Sequence, residues 1–167
     1  MKLLTPSEIS LRLNAPWSHH TLPRSDILVD GRETGQSVAG EVLKAAIEWE
    51  SYCLLLVTDN IPFEDSLRMV LFDAQWKMVD CATLEHVSAT GGFSNLTLVR
   101  PNYLCFQFTD GATWTLELLP RGTVSLPFFD PKGVSRPFSF FKRLRLHGVL
   151  LPDTSAATAG RSRAGAW

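Results

Sequence analysis

The stretch NLTLVRPNYLCFQFTDGATWTLELL, residues 95–119, decides the fold. Leu96 and Leu98, then Leu104, Phe106 and Phe108, then Trp114, Leu116 and Leu118 recur at every second position, the period of a strand with one buried face. Pro101 with Asn102, and Asp110 with Gly111 and Ala112, are turn formers that break the run into three. A parallel crossover needs about a dozen residues or more, so strands joined this tightly must run antiparallel.

The same pattern extends in both directions. Upstream, SLRMVLF (66–72) alternates Leu67, Met69 and Leu71 with Ser66, Arg68 and Val70, and KMVDCATLE (77–85) reads as its return after the short AQW turn. EVLKAAIEW (41–49) and YCLLLVT (52–58) flank Glu50 and Ser51 like the arms of a hairpin, although the Ala and Lys of the first arm also favour helix. Downstream, FSFFKRLRLHGVLL (138–151) reads as a last strand, with Leu144 and Leu146 on one face and Arg143, Arg145 and His147 on the other. The sequence therefore predicts a mainly β domain over residues 40–150. It is an antiparallel meander of seven or eight strands forming a sandwich or open barrel.

Residues 1–39 read as an extension. TPSE (5–8) has a capping threonine, a proline at the first helical position and a glutamate three residues after the cap, which predicts a short N-terminal helix from Pro6 to Asn14, ended by Pro16. From there to Gly40 the prolines, the glycines and the weak periodicity predict an irregular segment lying over the domain. Residues 151–167 are small, polar and unpatterned, which predicts a disordered tail.

Composition narrows the function classes. With 45% hydrophobic and 20% charged residues over 167 positions, the chain suits one globular domain with a real core. The opening MKLL begins like a secretory leader, but Pro6, Ser7 and Glu8 interrupt it, and no run reaches the roughly 18 apolar residues of a membrane span. A cytoplasmic protein is the expectation. Cys53, Cys81 and Cys105 are odd in number and match no zinc spacing, as expected of buried reduced thiols. Residues 1–120 carry 8 Lys and Arg against 15 Asp and Glu, and residues 121–167 carry 8 against 2. The chain is polarised, acidic first and basic last.

The densest polar stretch is DNIPFEDS, residues 59–66. It lacks the glycine and the alternating oxygen ligands of a calcium loop, since Ile61, Pro62 and Phe63 stand where ligands would be. Asp59 and Asn60 suit an Asx turn, with Phe63 as an anchor. His19 and His20 are adjacent, point apart in an extended chain, and so do not chelate. HVSATGGFSN (86–95) reads as a glycine-containing loop before it reads as an anion nest. Cys81 and His86 lack an orienting third group, and a thiol in an apolar strand is inert. Lys142, Arg143, Arg145 and His147, flanked by Phe140 and Phe141, combine charge with aromatic surface, but a pI near 6.4 argues against general nucleic-acid affinity.

The block from GEVLKAAIEW (40–49) through WTLELLP (114–120) to GVSRPFSFFKRLRLHG (133–148) resembles a group of small uncharacterised bacterial β-rich proteins. In size and lack of a catalytic motif the chain is also similar to immunity proteins that neutralise a bacterial toxin. The resemblance brings no catalytic residues with it. What it implies is a protein partner, a toxin or secreted effector; the spacings and apolar runs already read predict no cofactor, no metal and no membrane. The candidate partner-binding residues are an acidic rim of Asp59, Glu64 and Asp65, the aromatic anchors Phe63 and Trp76, and the basic face of Arg143 and Arg145. The alternative is a small β-barrel enzyme or ligand carrier with a pocket near the 58–65 turn and the 86–95 loop.

Overall fold

The computed structural model describes residues 1–60, 66–85, 92–108, 111–124, 130–137 and 141–148. Thirteen strands lie among them, in chain order β1 (Lys2–Leu3), β2 (Ile9–Ala15), β3 (Arg24–Val29), β4 (Arg32–Ala39), β5 (Val42–Trp49), β6 (Tyr52–Thr58), β7 (Ser66–Phe72), β8 (Met78–Glu85), β9 (Ser94–Val99), β10 (Tyr103–Gln107), β11 (Thr113–Val124), β12 (Val134–Ser135) and β13 (Phe141–Gly148). All pair antiparallel, in a six-stranded sheet β1-β5-β6-β7-β8-β12, a four-stranded sheet β13-β11-β10-β9 and a three-stranded sheet β2-β3-β4. Eight of the strands are those that the sequence placed beyond Gly40, by alternation or as hairpin arms. The meander is split between two sheets at the step from β8 to β9.

The six-stranded sheet is apolar on both faces. One face carries Ile47, Leu54, Leu56, Leu67, Met69, Leu71, Ala82 and Leu84, which share a buried cluster with Leu104, Phe106, Leu116, Leu118, Leu144 and Leu146 of the four-stranded sheet. The other face carries Ala46, Leu55, Val57, Val70 and Phe72, clustered with Ile9, Ile27 and Val38 of the three-stranded sheet. A central strand covered on both sides reads as a continuous apolar run, which is why β6 shows no alternation in sequence.

Two expectations for the N-terminal region are corrected. There is no helix from Pro6 to Asn14. The Thr5 to Glu8 signal is used for one turn only, in which the amides of Glu8 and Ile9 donate to the Thr5 carbonyl and the Glu8 carboxylate accepts from the Thr5 amide at 2.7 Å. From Ile9 onward the alternation of Ile9, Leu11 and Leu13 prevails, because β2 can pair with β3 and bury Ile9 on the central sheet. A short isolated helix has no comparable gain. Residues 24–39, expected to be irregular, form the β3–β4 hairpin, whose turn is Asp30 and Gly31 with φ of 47° and 74°. That Asp-Gly pair suits a two-residue hairpin.

Gly40 ties this sheet to the core. Its φ is 119°, its amide donates to the Pro23 carbonyl at 2.7 Å, and its carbonyl accepts from Ser25 Oγ at 2.8 Å. A Cβ here would lie 2.4 Å from Val57 Cγ1 and 3.1 Å from the Thr58 carbonyl oxygen. Gly40→Ala therefore combines a disfavoured backbone angle with overpacking, and we expect a loss of about 1–3 kcal/mol in urea unfolding.

Candidate functional site

The structure redistributes the residues that sequence reasoning brought forward. Asp59, expected on an acidic rim, is only 2% exposed. Its carboxylate accepts from Ser66 Oγ at 2.7 Å and pairs with the Arg68 guanidinium, so it braces the end of β6 against β7. Asn60 turns the chain there with φ of 58°. Phe63, Glu64 and Asp65 lie outside the described residues, as does residues 86–91 of the loop paired with them in the pocket alternative.

The basic strand β13 is held largely by internal partners. Asp80 of β8 points at it, accepting from the amides of Arg143 at 2.6 Å and Leu144 at 2.8 Å, and it pairs with Arg136 at 3.4 Å. Asp130 bridges Arg136 at 3.0 Å and Lys142 at 3.5 Å, completing a network of two acids and two bases between the sheets. The Arg143 side chain donates to the Pro120 carbonyl and lies over the Tyr52 ring, 5.0 Å from its centroid. Arg145, 40% exposed, pairs with Glu117 at 3.2 Å, and His147, 50% exposed, lies 3.4 Å from the same carboxylate. Tyr103 donates to the other oxygen of Glu117 at 3.1 Å, and that hydrogen bond raises the tyrosine above its ordinary pKa.

The thiols follow expectation in being unpaired. Burial pushes Cys53 up to about 12 and also raises Cys81, which keeps both protonated and unreactive at neutral pH. An unfolded cysteine ionises near pH 9, so above that pH the unfolded chain holds fewer protons than the folded one. Stability that is fully present below pH 9 is then lost as pH rises through about 12. Over that window Cys53 contributes up to about 1.4 kcal/mol of loss per pH unit. We expect Cys53→Ala to flatten the alkaline limb of a stability-versus-pH curve, and an unchanged slope would contradict the assignment.

Among the described residues an open feature lies at the end of the molecule that carries the β3–β4, β5–β6 and β7–β8 turns. It is a groove of about 450 Å³ with an apolar floor that includes Leu4, Ile9, Val29, Cys53 and Trp76. Its acidic lining is Glu8, Asp30, Glu48, Glu50 and Asp73, against a single cation, Lys2, which pairs with Glu8. Asp30, Glu48, Glu50 and Asp73 have no ion-pair partner among the described residues.

No family model, curated protein or solved structure matches the chain. The groove is therefore read from its own chemistry.

Three of its lining residues are held in left-handed backbone conformations that side chains seldom adopt: Asp30 with φ of 47°, Glu50 with φ of 53° and Trp76 with φ of 58°. The Trp76 turn is fixed by Asp73, whose Oδ1 accepts from the amides of Gln75 and Lys77 and whose carbonyl accepts from the Trp76 amide. The indole is held against Phe72, with ring centroids 5.6 Å apart. Of the sequence candidates among the described residues, Trp76 is the one that lines the groove; its acidic company was not anticipated. The available signal was the antiparallel connectivity, because turns that follow every second strand of a meander gather at one end. Among the described residues no group of three His, Cys, Asp or Glu could hold a metal ion, and no helix is long and apolar enough to cross a membrane.

Proposed function

We propose that the protein is a non-enzymatic binding module of the immunity or adaptor type, in which three sheets stacked as a sandwich carry a docking groove for a partner protein. The observation that supports this most is the contrast in how charge is used. The buried Asp59 and the Asp80, Asp130, Arg136 and Lys142 network are committed to holding strands together, whereas Asp30 and Glu50 stand at the groove without an ion-pair partner among the described residues, beside an Asp73 that also fixes the Trp76 turn. An aromatic anchor in an apolar floor, ringed by charge, is the composition of a protein-contact hot spot. Carboxylates spread along a rim steer association and select partners; acid–base chemistry would need them to converge on one reacting atom.

The test is site-specific photocrosslinking in the cells that make the protein, with a benzoylphenylalanine at Ala74 in the groove and, as control, at exposed Val124. A discrete adduct formed from Ala74, absent from Val124 and lost when Glu48 and Glu50 are changed to lysine, supports the reading. Identical adduct patterns from both positions would remove it.

A further inference from the structure

We infer that the groove takes an extended, arginine-bearing segment of the partner protein, with its guanidinium groups over the Trp76 indole and between the carboxylates of Asp30, Glu48, Glu50 and Asp73. This rests on the reading of the protein as a binding module and specifies what that module recognises. The charge argument comes first. The groove's one lysine is paired with Glu8 and faces Glu48 across the β1–β5 pair, so one cation stands against five carboxylates, and Asp30, Glu50 and Asp73 have no ion-pair partner among the described residues. Phosphate-bearing partners are repelled by such a lining. The carboxylates are also dispersed over three separate turns, so they suit several charges along a chain better than one metal ion.

The choice of arginine follows from the aromatic floor. An indole is the strongest of the aromatic faces for a cation, and a guanidinium both stacks flat on it and forms a two-point contact with a carboxylate, which an ammonium does not. The chain makes this contact elsewhere, on the opposite face of the six-stranded sheet, where the Tyr52 ring carries the Arg143 guanidinium. A volume of about 450 Å³ falls within the range of ordinary ligand pockets, so it admits a few side chains of a segment and not a folded domain. The apolar floor of Leu4, Ile9, Val29 and Cys53 then favours arginines alternating with aliphatic residues.

Fluorescence anisotropy with the full chain tests this. The probe is a labelled nonapeptide of arginine alternating with leucine, compared with versions in which lysine or glutamate replaces arginine. The arginine peptide should bind at least about ten times more tightly than the glutamate peptide, and more tightly than the lysine peptide. Its affinity should fall about tenfold or more in Glu48→Lys/Glu50→Lys and in Trp76→Gly, and should weaken with added salt. Trp76→Gly removes the ring while suiting the left-handed backbone, and an unchanged melting temperature shows that lost binding is not lost folding. Equal affinity for the arginine and glutamate peptides, or binding indifferent to these substitutions, overturns the inference. If the Ala74 adduct forms while the arginine peptide neither binds nor competes with it, the ligand class is wrong and the binding module stands. Absence of both removes both.

Discussion

Asp80→Ala is expected to lower the unfolding free energy by about 3–5 kcal/mol, which for a chain of this length is a melting-point drop on the order of 10 °C. The Asp80 and Arg136 side chains are 5% and 9% exposed, so alanine leaves a buried guanidinium with one of its two carboxylates, Asp130 at 3.0 Å. It also removes the acceptor of the Arg143 and Leu144 amides, at the point where the β11–β13 register shifts. Three losses thus fall on one side chain. Asp80→Asn keeps an oxygen for the amides but not the charge, and should cost about half as much. Adding Arg136→Met to Asp80→Asn should cost more still, because Arg136 also pairs with Asp130 and donates to the Leu144 carbonyl. Urea unfolding of the three variants checks the set, and an Asp80→Ala loss below about 1 kcal/mol would show that the network does not hold the two sheets together.

This network was half-legible in the sequence. Asp80 shares strand parity with Ala82 and Leu84, and Lys142 shares it with Leu144 and Leu146, so each is a charge on a buried face and requires a partner. Period-two reasoning reaches that point. It cannot find Arg136 or Asp130, because both stand in a proline-rich connection with no periodicity. The strand ranges themselves were readable wherever one rule acted alone: YCLLLVT and SLRMVLF coincide with β6 and β7 residue for residue.

The N-terminal region shows the opposite case. Two rules compete at TPSE, helix capping and the alternation of Ile9, Leu11 and Leu13, and the outcome was decided by an apolar face on the central sheet that no local pattern displays. The groove was hidden for the same reason. Asp30 reaches it only because the three-stranded sheet covers β5 to β7, so its acidic lining depends on a packing of sheets and not on any contiguous motif. Trp76 alone was visible, as an aromatic residue in a turn.

Asp59→Ala separates a brace from a docking residue. As part of an acidic rim, Asp59 could be removed with little change in stability, and partner affinity would fall. Buried and bound to Ser66 and Arg68, it should behave in the reverse manner: about 3 kcal/mol of stability is lost, and the folded fraction keeps its affinity for the arginine peptide. The physical reason is that Arg68 belongs to β7 on the face that carries Val70 and Phe72, where its side chain is 13% exposed, and without Asp59 its charge has poor access to water. Arg68→Met should cost a similar amount, since it leaves the Asp59 carboxylate, 2% exposed, with the Ser66 hydroxyl but without its guanidinium. In the double variant the losses should be less than additive by about 1 kcal/mol or more, the sign of a direct pair. Strictly additive losses, or an Asp59→Ala protein of full stability that no longer binds the peptide, would return Asp59 to the contact surface and move the docking site to the opposite end of β6.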